Sequence, residues 1–333
     1  MKRRSAPALA VALCVAAGLL AQAPIPASAD SYPSRPIRVV VPYPPGNLAD
    51  VNARILGDPL SKRLGQPIVI ENKPGATGVI GVDAVVHAPP DGYTLLLNSI
   101  SLVIGPAVLK EVPYDVARDL APIALIGQTS MIMVANLAFP ANDLVGLVKL
   151  LKAAPGQYSY AHFGIGSLSQ ISMEAFKRAA GVDIVGVPYR GSAQALTDVI
   201  SGQLPLMFDA MTSAQGQLEA GRIKPIAVSA AHRSRFMPNV PTLAESGLTA
   251  LRDYNVEAWS GLLAPAGTPA AIIELLHAAT IDAMQDPDFQ RRAAAQTLEI
   301  YPPMSQDEFG VFLRAELARW RQIVRAVGLE GSQ

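Results

Sequence analysis

Residues 37–54 read IRVVVPYPPGNLADVNAR. Ile37, Val39, Val40 and Val41 make a nearly continuous apolar run, the pattern of a strand covered on both faces of an α/β sheet. Pro42, Pro44 and Pro45 fix φ and offer no ladder donor, so the strand stops there, and Gly46 supplies the freedom to turn. Asn47 follows as a candidate N-cap of a helix. The first N–H groups of that helix point back over the strand end, the place where open α/β sheets bind ligands. Tyr43 to Asp50 thus forms a candidate anion cradle. Any tight strand-to-helix connection reads the same way, so its place in the fold has to decide its use.

The chain has 333 residues, half of them apolar, enough for two domains or one large one. Met1 to Ala29 carries Lys2, Arg3 and Arg4, then the apolar stretch Ala8 to Leu20, then Ala27-Ser28-Ala29, the three parts of a secretory signal peptide. That stretch is too short to span a bilayer, and no later one reaches about 18 residues free of charge or proline. The mature protein is expected to be soluble and exported. Cys14, the only cysteine, lies within the signal segment, so the mature chain has no disulfide and no thiolate metal site. Leu13 stands before it where a lipoprotein anchor would need a small residue. The chain balances 27 Lys and Arg against 27 Asp and Glu, and loss of Lys2, Arg3 and Arg4 leaves a slight acidic excess. With no basic run or aromatic-interleaved patch, nucleic acid is excluded as a partner.

Strand, polar loop and helix then recur. Ile68 to Ile70 is a short strand after Gly65, the Gly-rich loop Pro74 to Gly78 contains Thr77, Ile80 to His87 is helical, and Thr94 to Leu97 is a strand that runs into Ser99 and Ser101. Pro59 is expected to kink or shorten the first helix. Two apolar runs, Ile123 to Ile126 and Met131 to Ala135, mark a crossover. A second βα series follows: helix Leu144 to Ala153, strand Tyr158 to His162, helix Ser169 to Ala180, strand Ile184 to Val187, helix Ala193 to Ser201, and strands Leu204 to Phe208 and Pro225 to Ser229 around a helix near Ala214. An extended run, Val256 to Ala264, and three helices close the chain. This alternation predicts an α/β protein of two lobes with a two-crossing hinge. Lobe 1 comprises residues 30–128 and 256–333, lobe 2 residues 129–255, and the crossings fall near 125 to 135 and 255 to 264. Leu313, Leu317, Trp320 and Val324 recur at helical spacing and read as core.

The second lobe repeats the opening. YSYAHFGIGSLSQ at 158–170 is a strand followed by Gly164 and Gly166, with Ser167 and Ser169 as caps. A dinucleotide fingerprint would need glycine where Ser169 stands. Tyr189, Asp209 and Thr212 end the next strands on the same edge, with Asp209 either a helix N-cap or a ligand-side acceptor. Arg190 reads as a carboxylate clamp or a solvated surface residue. No G-x-S-x-G elbow occurs, and His87, His162, His232 and His277 are isolated from any metal-ligand spacing. Neither catalysis, a metal nor a cofactor is expected.

PYPPGNLADVNAR (42–54), NKPGATG (72–78), DGYTLLL (91–97), VPYRGSAQALTDVISGQ (187–203), MFDA (207–210), AVSAAHRS (227–234) and WSGLLAPAGTP (259–269) together resemble the Bug-type substrate-binding proteins of tripartite tricarboxylate transporters. The resemblance covers the mature chain in order. It implies a periplasmic binding protein of the two-lobed fold that closes on a small organic carboxylate; the chain is expected to act as a monomer and to present the ligand to membrane permease subunits. It also implies that backbone N–H groups of Tyr43 through Asp50 and Gly164 through Ser169 hold a ligand carboxylate. The full candidate set is Tyr43, Gly46, Asn47, Asp50, Thr77, Ser99, Gly164, Gly166, Ser167, Ser169, Tyr189, Asp209 and Thr212. The chain departs from the family at Asn47, where a second glycine is common, at Leu168, where proline is frequent, and at Gln170, where histidine is usual. Two other classes share these features: a receptor read by a sensor kinase, and a periplasmic hydrolase assembled from distant residues.

Overall fold

The computed structural model describes residues 32–164 and 166–332. The signal-peptide reading of Met1 to Ala29, and Cys14 with it, lies outside those residues.

The first unit runs β1 (Ile37–Val41), α1 (Leu48–Leu64), β2 (Ile68–Asn72), α2 (Val79–Val86) and β3 (Thr94–Ser99). β1 pairs in parallel with β2 on one side and β3 on the other. Asn47 caps α1 by accepting the Ala49 N–H at 3.0 Å, and Gly65 ends the helix in the left-handed region at φ +65°. Pro59 does not shorten α1, which continues through it to Leu64. Ala53, Leu56 and Leu60 pack with Leu276 and Phe289 in one core, and this burial offsets the helix penalty of proline, roughly 3 kcal/mol.

Next come α3 (Ser101–Val108), α4 (Val116–Asp119) and β4 (Leu120–Asn136). The sequence reading has no helix at α3, whose Gly105 and Pro106 discourage one. Every residue of it except Ser101 and Pro106 is buried, so packing rather than propensity holds it. β4 replaces the two expected runs with a single strand of 17 residues, about 55 Å long.

The second unit follows helix α5 (Leu144–Ala153): β5 (Ser159–His162), α6 (Leu168–Ala180), β6 (Val185–Pro188), α7 (Ser192–Ser201) and β7 (Leu206–Ala210), then α8 (Met211–Glu219) and β8 (Ile223–Val228). β5 pairs in parallel with β6 and β7, so the order 6-5-7 repeats the 2-1-3 of the first unit. β9 (Glu257–Pro265) lies antiparallel between β3 and β4. α9 (Ala270–Met284), α10 (Pro287–Ala295), β10 (Glu299–Ile300) and α11 (Gln306–Ala326) complete the chain, the last opened by a capping box between Ser305 and Glu308.

β4 links the units. From Leu120 to Ser130 it pairs with β9, and from Met131 onward with β7 and β8. Its side chains alternate accordingly: Met131, Met133 and Ala135 enter an apolar core shared by both units, whereas Ile132 and Val134 enter a core confined to the second. The shared core takes α2 and α6, and the two flanking cores take α1 and α7. Each unit therefore has helices on opposite faces of its sheet. Leading away from β1 and β3, and from β5 and β7, the connections diverge, which opens a crevice at the strand ends of each pair. Behind this frame, Trp259 and Trp320 both donate their indole N–H to Glu316 Oε2, at 3.0 and 2.9 Å.

Candidate functional site

In the first unit the crevice lies between the ends of β1 and β3. The Tyr43 hydroxyl donates across it to Ser101 Oγ, which shares a further hydrogen bond with Ser99 Oγ at 2.9 Å. Burial pushes the Tyr43 phenol up to about 12, partly offset by the bond to Ser101, so it stays protonated. The third wall is the turn Gly75 to Gly78, where all four residues have positive φ, including Ala76 at +45° and Thr77 at +55°. Non-glycine residues adopt that region at a cost of about 1 kcal/mol or more, and such strain gathers at ligand sites. Gly78 sits at φ +95°, and a Cβ there would come within 2.8 Å of the Tyr43 oxygen, so a larger residue would strain the turn and push the tyrosine aside.

The expected donor of this cradle is already engaged. Gly46 donates its N–H to Asp50 Oδ2 at 2.8 Å. Arg54 forks onto the same carboxylate at 3.0 and 2.8 Å, and Asn72 Nδ2 bridges Asp50 Oδ1 at 2.9 Å and the Tyr43 carbonyl at 3.0 Å. Burial alone would raise the Asp50 carboxyl; the hydrogen bonds from Arg54, Gly46 and Asn72 outweigh it and hold the group below the usual carboxylate range. Asp50 is thus an internal anion that fixes the loop.

The second unit repeats the device with a neutral side chain. Gly166 donates its N–H to Gln170 Oε1 at 2.8 Å. Ser167 caps α6 by accepting the Gln170 N–H at 3.3 Å and donates to the Gly164 carbonyl at 2.7 Å. Ser169 is not a cap; its hydroxyl accepts the Phe163 N–H at 3.0 Å and closes the loop from beneath. His162 turns Nδ1 toward Gly164, and burial pushes its pKa below the usual imidazole range. The departure at Gln170 therefore has a role: it satisfies the glycine.

Three candidates are placed differently from expectation. Asp209 is not an N-cap, since Ala210 holds that position in α8 without a side-chain bond. It is wholly buried at the end of β7 opposite Ile132, accepting from Ser192 Oγ at 2.6 Å and from the Ala210 N–H at 2.8 Å. Tyr189 donates to Asp198 Oδ2 at 2.6 Å and so lies along α7. Thr212 spends its hydroxyl on the turn before β10, at 2.8 Å from the Gln296 carbonyl and 2.9 Å from Thr297 Oγ1. Arg190 is exposed. Asn72, Arg54, Ser101 and Ser192 stand outside the candidate set read from the sequence. Of these, only Ser192 carried a local signal, following Gly191 where a helix opens.

A cavity of about 730 Å³ bounded by Arg235, Phe236, Gln285, Gln290, Tyr301 and Pro302 lies beside β10, and none of the expected site residues lines it. Among the described residues no group of three His, Cys, Asp or Glu could hold a metal ion, and no helix is long and apolar enough to cross a membrane.

Two α/β units of equivalent topology, each with a crevice at its strand ends, define a binding protein of the periplasmic type. The model of the tripartite tricarboxylate transporter family receptor matches residues 52–329, and the chain belongs to that family. It is similar to Protein BugT of Bordetella pertussis, at 36% identity over 91% of this chain and 92% of that protein. MatC from Rhodopseudomonas palustris, solved with bound malate, superposes with a TM-score of 0.74 at 32% identity, covering 88% of this chain and 100% of the other. Another R. palustris protein, solved with adipate, gives a TM-score of 0.77 at 30% identity over 89% and 98%. Members of this family are solute-binding receptors.

Proposed function

We propose that the chain captures a small organic carboxylate between two lobes, residues 30–128 with 256–333 and residues 129–255, and delivers it to a membrane permease without altering it. It works as a monomer in the periplasm after removal of residues 1–29. The observation that carries this reading is the repetition of one crevice, once between β1 and β3 and once between β5 and β7, on units joined by β4. Each crevice is edged by the start of a helix of more than two turns, whose N–H groups favour an anion. Malate in one relative and adipate in another support the ligand class. The ligand contacts assigned here are the loops 43–50 and 163–170, with Thr77 and Ser99 beside the first and Ser192 beside the second.

Native mass spectrometry of freshly purified protein, followed by thermal shift with a panel of mono-, di- and tricarboxylates, sugars and neutral amides, tests this. A retained or stabilising carboxylate, recovered unchanged, is the expected result. Stabilisation by sugars alone, or chemical conversion of the acid, would refute it. Co-purification of the loaded form with a membrane permease rather than a sensor kinase tests the partner.

A further inference from the structure

Asp209 is an oddity within the proposed site. It is a carboxylate with no exposed surface, on a strand flanked on both sides, and it has no ion-pair partner among the described residues. Desolvation makes an isolated buried carboxylate costly, so its hydrogen bonds should have a use. One comes from the next residue in the chain, the Ala210 N–H; the other comes from Ser192 Oγ at 2.6 Å. Ser192 is the first residue of α7, is half-buried, and stands at the C-terminal edge of the second sheet beside the crevice.

The elements packed on β7 bring no countercharge. β4 supplies Ile132 opposite Asp209. β5 ends in His162, which is turned to Gly164 and whose charged form is disfavoured by burial. Glu174 of α6 is held by Tyr160 and Lys177, Asp198 of α7 by Tyr189, and α8 begins with Met211 and Thr212. Arg190, just ahead of α7, is exposed.

A serine hydroxyl has one proton and two lone pairs. We infer that Ser192, its proton held by Asp209, is a specificity residue that accepts a hydrogen bond from a hydroxyl or ammonium group on the ligand, and that protonation of Asp209 reverses its polarity. While Asp209 is ionised, Ser192 has only lone pairs for a further partner, and the nearby negative charge favours a donor. Once Asp209 carries a proton, it donates to Ser192 Oγ, and the serine proton turns outward to meet an acceptor. Burial supports the reversal within a useful range, because it pushes the Asp209 carboxyl up to about 6, against the weaker pull of Ser192 and Ala210. This inference rests on the carboxylate-binding reading and deepens it: the preferred ligands are hydroxy or amino acids at neutral pH, shifting toward their bare-acid analogues in acid.

The test is calorimetric titration with matched probes, succinate against L-malate and phenylacetate against mandelate, at pH 8 and pH 5. Wild type is compared with Ser192→Ala, Ser192→Thr and Asp209→Asn. At pH 8 the hydroxylated member of a bound pair should be about tenfold tighter, the gain expected of one hydrogen bond to a charge-biased acceptor. Ser192→Ala should abolish the preference and Ser192→Thr restore it. At pH 5 the preference should shrink in wild type relative to Asp209→Asn; protonation of the probes themselves changes the ratio equally in both proteins and cancels in that comparison. A carbon-13 titration of the Asp209 carboxyl in unliganded protein gives a readout independent of any ligand. Probes that bind with a ratio indifferent to Ser192→Ala, or an Asp209 that titrates at the ordinary value, would overturn the inference and leave the binding function standing. Failure of every probe and of adipate to bind would remove the carboxylate reading and this inference with it.

Discussion

The backbone N–H of Gly166 donates to Gln170 Oε1 at 2.8 Å, and its counterpart in the first unit, Gly46, donates to Asp50 Oδ2 at the same distance. Both cradles are therefore closed by a side chain one helical turn further on. The closures differ in charge. A ligand anion near loop 43–50 meets an Asp50 already neutralised by Arg54, whereas one near loop 163–170 meets a neutral amide. Gln170→Glu should then cost at least tenfold in affinity for malate or adipate, since a carboxylate about 4 Å from a ligand anion is repelled by a few kcal/mol at protein-surface dielectric. Gln170→Ala should stay within a few-fold of wild type. Calorimetry on both variants checks this, and equal affinities would place the anion elsewhere.

Much of the first unit is legible in the sequence because its signals are local. Pro42 to Asn47 stops a strand, turns the chain and caps a helix within a few residues. The long strand β4 is not legible in the same way. Gly127, Gln128, Thr129 and Ser130 interrupt its apolar residues, so it reads as two runs, and only its distant partners β9, β7 and β8 make it one. The Ser192 to Asp209 bond joins residues 17 apart and depends on how β6 and β7 flank β5. Thr212 meets Thr297 across 85 residues, and no pattern in the sequence links them. Side-chain roles that depend on register stay hidden where element types do not.

Thr212, with its partners Gln296 and Thr297, ties the second unit to the turn before β10, and Thr129 of β4 joins the same group at 3.3 Å from Thr297. Thr297 itself sits at φ +50°. Ser234 and Arg235 add bonds to Glu299 and the Leu298 carbonyl, at 2.8 and 3.4 Å. A hinge motion between the two proposed lobes would strain or release such a strap. Thr212→Val should lower stability by about 1 to 2 kcal/mol through lost hydrogen bonds and change the fall in radius of gyration on ligand binding. Chemical denaturation and small-angle scattering measure the two effects. An unchanged scattering difference would show that the strap moves as part of one lobe.

Glu316 holds both indoles and Arg319, whose guanidinium lies 2.8 Å from Oε1. Glu316→Ala leaves two buried N–H donors without a partner, and each such group costs about 1 to 3 kcal/mol. The variant should lose at least 3 kcal/mol of stability, whereas Glu316→Gln, which retains one acceptor, should lose less. Urea denaturation followed by tryptophan fluorescence reads this directly, since both indoles belong to the group being disturbed.

Arg190 and Gly166 separate two ways of holding a ligand. Gly166 has φ +74°, a region that charges an alanine about 1 kcal/mol or more, so Gly166→Ala should disturb the loop and weaken carboxylate binding. Arg190→Ala should have little effect if backbone N–H groups carry the charge. Loss of binding in the arginine variant with retention in the glycine variant would reverse the assignment.

Stability should fall as pH rises through the range in which Asp209 ionises. Its carboxyl is ordinarily near 3.8 and burial lifts it to about 6, so between those values the native state binds a proton that the unfolded chain releases. Where the native state binds more protons, unfolding becomes easier with rising pH. The favourable contribution is therefore complete below pH 4, declines between 4 and 6, and is gone above 6. A displacement of about two units corresponds to roughly 3 kcal/mol. Asp209→Asn, which has no charge to bury, should lack this slope. Its amide leaves a donor unsatisfied, so the variant starts less stable at pH 4 and closes the gap toward pH 7. The carboxyl of Asp50 works in the opposite sense, because its hydrogen bonds hold it below the ordinary value and its stabilisation is lost only in stronger acid. Urea midpoints of both proteins at intervals from pH 4 to 7 separate the two groups, and parallel curves would mean that Asp209 stays ionised throughout.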